Sequence, residues 1–157
     1  MSMNLKRKLE GEVEVTESAA DVLHDLYKSR PHHLAHSGGA NYLQGCELSH
    51  GVMGTPGCVL SWNYTLDGKQ RTGKTEIEEI DEEKKMVRQK VVEGDLLDEY
   101  KSLVFICHAI PKGKGSSTVK WTLEYEKVHP GIPEPSSMLD ALLEAAKGIE
   151  DHHHGSK

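Results

Sequence analysis

From Leu43 to Val128 the chain is a succession of strand-like runs joined by very short turns, and this limits it to an antiparallel sheet. The runs are Leu43 to Ser49, Cys58 to Leu66, Lys69 to Ile80, Lys84 to Glu93, Tyr100 to Ile110 and Thr118 to Val128. In the last of them Val119, Trp121, Leu123 and Tyr125 alternate with Lys120, Thr122, Glu124 and Glu126, the period-two pattern of a strand with one wet face. Between the runs stand turn residues: the glycine-rich segment Gly51 to Gly57, the pair Asp67 and Gly68, the acidic Asp81 to Glu83, the pair Gly94 and Asp95, and Pro111 to Gly115. Parallel neighbours would need crossovers of a dozen residues or more, which such turns do not supply.

The flanks complete the pattern. Between Leu5 and Thr16, Leu9, Val13 and Val15 alternate with Lys8, Glu10, Glu12 and Glu14, which predicts a further strand. Ser18 then stands three residues before Asp21 as a capping signal, and Ala19, Val22, Leu23, Leu26 and Tyr27 share one helical stripe. Arg30 and Pro31 end that short helix; a second runs from Pro31 to His36 and stops at Gly38 and Gly39. After the proline-rich stretch His129 to Pro135, the residues Met138, Leu139, Leu142, Leu143, Ala145, Ala146 and Ile149 predict a helix over Ser136 to Glu150. It would be about 15 residues and ~22 Å long. A sheet with one wet face must bury the other, and this helix is the one element long enough to receive it. The expected class is α+β: a seven-stranded curved antiparallel sheet with two short helices and a long C-terminal helix, in a single domain over 1–157 whose last residues, 151–157, are flexible.

Composition narrows the function classes. With 25 acidic against 19 basic residues, and the basic ones dispersed among carboxylates, the chain lacks the positive stripe of a nucleic-acid binder. No apolar run suggests a membrane span and the first residues lack a signal-peptide core, so no membrane insertion and a cytoplasmic location are expected. Cys46, Cys58 and Cys107 form no CxxC pair and are odd in number, which argues against a zinc ribbon or a disulfide framework. The oligomeric state is not legible.

Three runs carry a family resemblance: Trp62 to Lys69, Val92 to Lys101 and Val119 to Lys127, together with the glycine-rich loop before them. They resemble the plant major latex proteins, within the birch-pollen-allergen and pathogenesis-related superfamily, and the likeness extends over almost the whole chain. The resemblance implies a START-like helix-grip fold, a cavity for a hydrophobic small molecule such as a plant metabolite, hormone or steroid-like ligand, and a link to defence or stress responses. It implies no cofactor. Leu60 stands where the pathogenesis-related branch often has a basic residue, so the ribonuclease activity claimed for that branch is not carried over.

Strand alternation fixes which residues would line the cavity, taking Arg88, Lys90, Lys101, Lys120 and Glu124 as solvent-facing. The inward set is then Leu60, Trp62 and Tyr64; Val87, Gln89 and Val91; Tyr100, Ser102, Val104, Ile106 and His108; Val119, Trp121, Leu123 and Tyr125; and, from the helix, Met138, Leu142 and Ile149. The face is apolar yet includes Gln89, Ser102 and His108, each of which costs ~1–3 kcal/mol if buried without a partner, so a cavity suits it better than a filled core. At the cavity mouth Gly51, Gly54 and Gly57 would permit a mobile gate, with Val52 and Met53 as an apolar lid.

Competing chemistry is thin. Gly68 to Thr75 matches G-x-x-x-x-G-K-[ST], which would place Lys74 on phosphates and Thr75 on magnesium, but it follows a hairpin signal and an amphipathic strand in a chain with no parallel crossovers. His32, His33 and His36, and His152 to His154, are expected to be solvated rather than metal-binding. Tyr100 and His108 on one face would be the proton carriers if an enzyme of this fold isomerised or condensed a bound metabolite. No acid/base pair is assignable, so no catalytic residue is expected.

Overall fold

A strand with one charged edge and one apolar edge can lie only at a boundary between core and water, and seven such strands form one sheet. The computed structural model describes residues 6–15, 43–66, 68–112 and 116–144. The strands are β1 (Lys6–Val15), β2 (Leu43–His50), β3 (Val59–Leu66), β4 (Lys69–Asp81), β5 (Met86–Gly94), β6 (Tyr100–Pro111) and β7 (Ser117–Lys127). Their order across the sheet is β1-β7-β6-β5-β4-β3-β2, and every pairing is antiparallel. All seven expected strands are present. The start expected at Lys84 moves to Met86 because the Lys84 N–H donates to Asp81 Oδ1 at 2.9 Å and Lys85 takes φ 56, closing a turn there.

The two short helices expected between Ser18 and His36 lie outside the described residues. The C-terminal helix begins at residue 136 and is helical through 144; its expected continuation to Glu150, with Ile149, also lies outside them. Pro135 starts it, its carbonyl accepting from the Leu139 N–H at 3.1 Å. The helix lies close on β1 because Gly11 has no side chain: a Cβ there would sit 2.8 Å from Leu143 Cδ1. Gly11 pairs with Trp121, so the helix crosses the same face that Trp121 presents.

That face carries two apolar clusters. The larger gathers Val15, Leu103, Cys107, Val119, Leu123 and Tyr125 under Met138 and Leu139 of the helix. The smaller gathers Cys46, Cys58, Leu60, Ile77 and Val87, and Trp62 packs against both. Opposite faces of the sheet are told apart by charge: Lys120 Nζ lies 2.8 Å from Glu10 and Arg88 Nη2 lies 3.3 Å from Glu124, pairs exposed on the convex side.

One strand departs from the alternation expected of it. At the start of β6, Tyr100 pairs with Lys127 but Ser102 pairs with Glu126, so Lys101 is an extra residue without an opposite number, a β-bulge. Beyond it the phase is reversed. Leu103, Phe105, Cys107 and Ala109 pair with Tyr125, Leu123, Trp121 and Val119 and face inward, whereas Ser102, Val104, Ile106 and His108 pair with Glu126, Glu124, Thr122 and Lys120 on the convex face. The β5 register agrees, placing Gln89 opposite Phe105 and Val87 opposite Cys107. The inward assignment of Ser102, Val104, Ile106 and His108 is therefore corrected, because a period-two pattern does not survive an inserted residue.

Candidate functional site

The concave face is built from the middle of the sheet outward. β3 presents Leu60, Trp62 and Tyr64, whose partners on β4 are Thr75, Gly73 and Arg71. β5 presents Val87, Gln89 and Val91, of which Gln89 is 7% exposed. β6 contributes Tyr100 before the bulge and Leu103, Phe105, Cys107 and Ala109 after it; β7 contributes Val119, Trp121, Leu123 and Tyr125. The helix closes over this surface with Met138, buried, and Leu142, half-buried. The strands thus bring together the expected residues of β3, β5 and β7 with Tyr100, Met138 and Leu142.

Several of the polar groups on this face are satisfied by protein. Trp62 Nε1 donates to Thr75 Oγ1 at 2.8 Å, and Thr75 Oγ1 donates to Gln89 Oε1 at 2.8 Å, a relay across β3, β4 and β5. The Tyr100 hydroxyl donates to the Pro133 carbonyl at 2.9 Å, and the Tyr125 hydroxyl donates to Glu134, which also pairs with Lys127. The two rings meet edge to face, 5.6 Å between centroids. These bonds pin the proline-rich segment ahead of the helix to the rim of the sheet. The Tyr64 hydroxyl is different: it is buried and has no hydrogen-bond partner among the described residues.

Burial dominates the ionisable groups of the interior. It pushes the Tyr64 phenol up to about 12, against a partial offset from the Arg71 guanidinium, and the Tyr100 phenol up to about 12, with Glu99 and Glu134 adding to the rise. Cys46 is likewise raised to about 12 by burial, with the neighbouring Cys58 second, and burial alone lifts Cys107 well above the ordinary thiol range. These groups stay neutral at physiological pH, so none of the four is an activated nucleophile or base. His108 lies on the convex face and Tyr100 on the concave one, so the two cannot share a bound molecule as proton carriers.

The residues that alternation missed are on β4 and β6. Thr75 and Ile77 are buried on the concave face although most of their strand is charged. Their spacing of two was the available signal. On β6 both faces are apolar, and only the unpaired Lys101 marks the phase change. The match at Gly68 to Thr75 forms no phosphate cradle: Gly68 turns the β3–β4 hairpin with φ +78, the residues that follow are strand, Lys74 pairs with Glu93 at 3.3 Å, and Thr75 points inward.

At the rim, Gly51, Gly54 and Gly57 all have positive φ (86, 84 and 93), which lets the loop fold back. The Gly57 N–H donates to the Ile77 carbonyl at 2.7 Å and so fastens the loop's end to β4. Val52 and Met53 do not act as a matched pair: Val52 is 66% exposed, while Met53 packs on the smaller cluster. Among the described residues no group of three or more His, Cys, Asp or Glu is placed to hold a metal ion, and no helix is long and apolar enough to cross a membrane. His32, His33, His36 and His152 to His154 lie outside the described residues.

The chain thus folds as an antiparallel sheet with a C-terminal helix against its apolar concave face. The pathogenesis-related protein Bet v 1 family matches residues 4–154. The chain belongs to this family. Among Bet v 1 relatives, MLP-like protein 43 of Arabidopsis thaliana is 40% identical over 150 residues, covering 95% of this chain and 94% of that one. The crystal structure of ginseng major latex-like protein 151 from Panax ginseng superposes with a TM-score of 0.89 at 42% identity, covering 95% of this chain and 98% of that one. The major latex resemblance and the helix-grip class are thereby borne out. Norcoclaurine synthase from Thalictrum flavum, solved with dopamine and hydroxybenzaldehyde, has the same fold (TM-score 0.75, 23% identity, 98% of this chain and 90% of that one).

Proposed function

We propose that this Bet v 1 family protein binds apolar small molecules in the space between the concave face of the sheet and the C-terminal helix. The observation that carries the reading is partial exposure where a filled core would leave none: Trp62 on β3, Tyr64 beside it, Phe105 on β6 and Leu142 on the helix converge on one face and are each only half-buried. Large apolar side chains enclosed by a sheet and a helix reach full burial when they meet one another, and residual accessibility marks room beside them. Binding rather than catalysis is favoured because His108 faces away and the buried phenols and thiols are held neutral. The ligand is of the plant-metabolite class, and the family's pathogenesis-related description supports a role in defence.

The test is a titration with the fluorescent apolar probe anilinonaphthalene sulfonate. Saturable binding is expected, and Leu142→Arg should weaken it at least about tenfold by putting a guanidinium into the space, with far-ultraviolet circular dichroism retained. Unchanged affinity in that variant would refute the assigned space.

A further inference from the structure

We infer that the unused amide N–H2 of Gln89 selects among apolar ligands, favouring those that present a hydrogen-bond-accepting oxygen such as a ketone carbonyl. The inference rests on the reading of the interior as a binding space and adds the chemistry of what enters it.

The orientation of the Gln89 carboxamide follows from counting protons along the relay. An indole N–H only donates, so Trp62 Nε1 at 2.8 Å makes Thr75 Oγ1 an acceptor there. The threonine hydroxyl has one proton, and it goes to Gln89 at 2.8 Å, so Gln89 must receive it through Oε1. Turned end for end, the amide would donate to Thr75 Oγ1, which already accepts from Trp62, and the Thr75 proton would lose its partner at a residue only 7% exposed. The relay therefore leaves the N–H2 group to act elsewhere, and among the described residues it makes no hydrogen bond. Gln89 is 7% exposed and stands between Val87 and Val91, with Ile77 and Phe105 opposite it on the neighbouring strands. Among the described residues no protein acceptor takes this donor, and the three-strand relay holds it in one orientation.

A featureless apolar space prefers a hydrocarbon to its ketone, because the carbonyl gives up water and gains nothing. A waiting donor reverses that order, since only the ketone satisfies it. The two cases are separated by a matched pair, α-tetralone and tetralin, which differ by one carbonyl and are measured by displacement of anilinonaphthalene sulfonate. The wild-type protein should bind α-tetralone about tenfold more tightly than tetralin. In Gln89→Met, of similar length and without donors, the ratio of the two affinities should fall to one or invert. Equal or stronger binding of tetralin by the wild-type protein overturns the inference without recourse to any variant, as does a ketone preference that survives in a folded Gln89→Met. Failure of the probe itself to bind would instead refute the binding space, and this inference with it.

Discussion

Among single residues, the tyrosines of the concave face show how one side-chain type is used in two ways. Tyr100 is anchored, its hydroxyl donating to the Pro133 carbonyl; the Tyr64 hydroxyl is buried and has no such bond among the described residues. Removing the hydroxyl should therefore have opposite consequences. Tyr100→Phe leaves a carbonyl unpaired and should cost about 1 kcal/mol, whereas Tyr64→Phe removes an unsatisfied group and should be neutral or stabilising by up to about 1 kcal/mol, both read from urea denaturation. The same two groups govern alkaline stability. Their folded-state pKa values are raised from 10.0 to about 12 by burial, so the folded chain holds these protons more tightly than the unfolded one. The stability this confers is complete below pH 10 and is lost as the pH climbs towards about 12. Denaturation midpoints should fall across that window, with near-ultraviolet phenolate absorbance rising in step, and the fall should be shallower in Tyr64→Phe. A flat midpoint through the window would show that the phenols are not buried as described.

Elements depend on a few glycines and on bulges, of which the one in β6 decides which face is inward. Gly94 ends β5 with φ +122, and a Cβ there would lie 2.6 Å from both Gly73 Cα and the Thr72 carbonyl oxygen. Gly57 also has positive φ, +93, but its missing side chain faces open space. Gly94→Ala should thus cost at least about 2 kcal/mol, from strain and backbone collision together, against about 1 kcal/mol for Gly57→Ala, where strain acts alone. Equal losses in thermal denaturation would mean that the Gly73–Gly94 contact is not close. Legibility divides at the same scale. β7 was readable because every second residue is charged or a threonine, so its inward face, Val119 to Tyr125, had no rival. β6 was not, because Val104 and Ile106 are as apolar as Leu103 and Phe105, and the single extra residue Lys101 decides between them. Hydrophobic pattern ranks two faces only when they differ. Thr75 falls within a phosphate-loop match that its hairpin context already argues against; its role as the middle of a buried relay depends on Trp62 and Gln89 from strands on either side, and no local pattern encodes it.

Across the whole molecule, the order of elements was fixed by turn lengths, since hairpins of a few residues leave only neighbour-to-neighbour pairing from β2 to β7. The cavity did not follow as directly. Much of the polar inventory that argued for it is internally bonded, as for Tyr100, Tyr125 and the Gln89 carbonyl oxygen, or convex, as for Ser102 and His108. What now supports an unfilled interior is the half-burial of Trp62, Phe105 and Leu142 within an otherwise closed apolar face, together with membership of the Bet v 1 family. The most direct measurement is a crystal structure under xenon pressure, because xenon enters dry apolar cavities and leaves close-packed cores alone. A hollow grip predicts xenon density between the sheet and the C-terminal helix, in contact with Trp62, Phe105 and Leu142; side chains filling that volume, with xenon only on the outer surface, would contradict it.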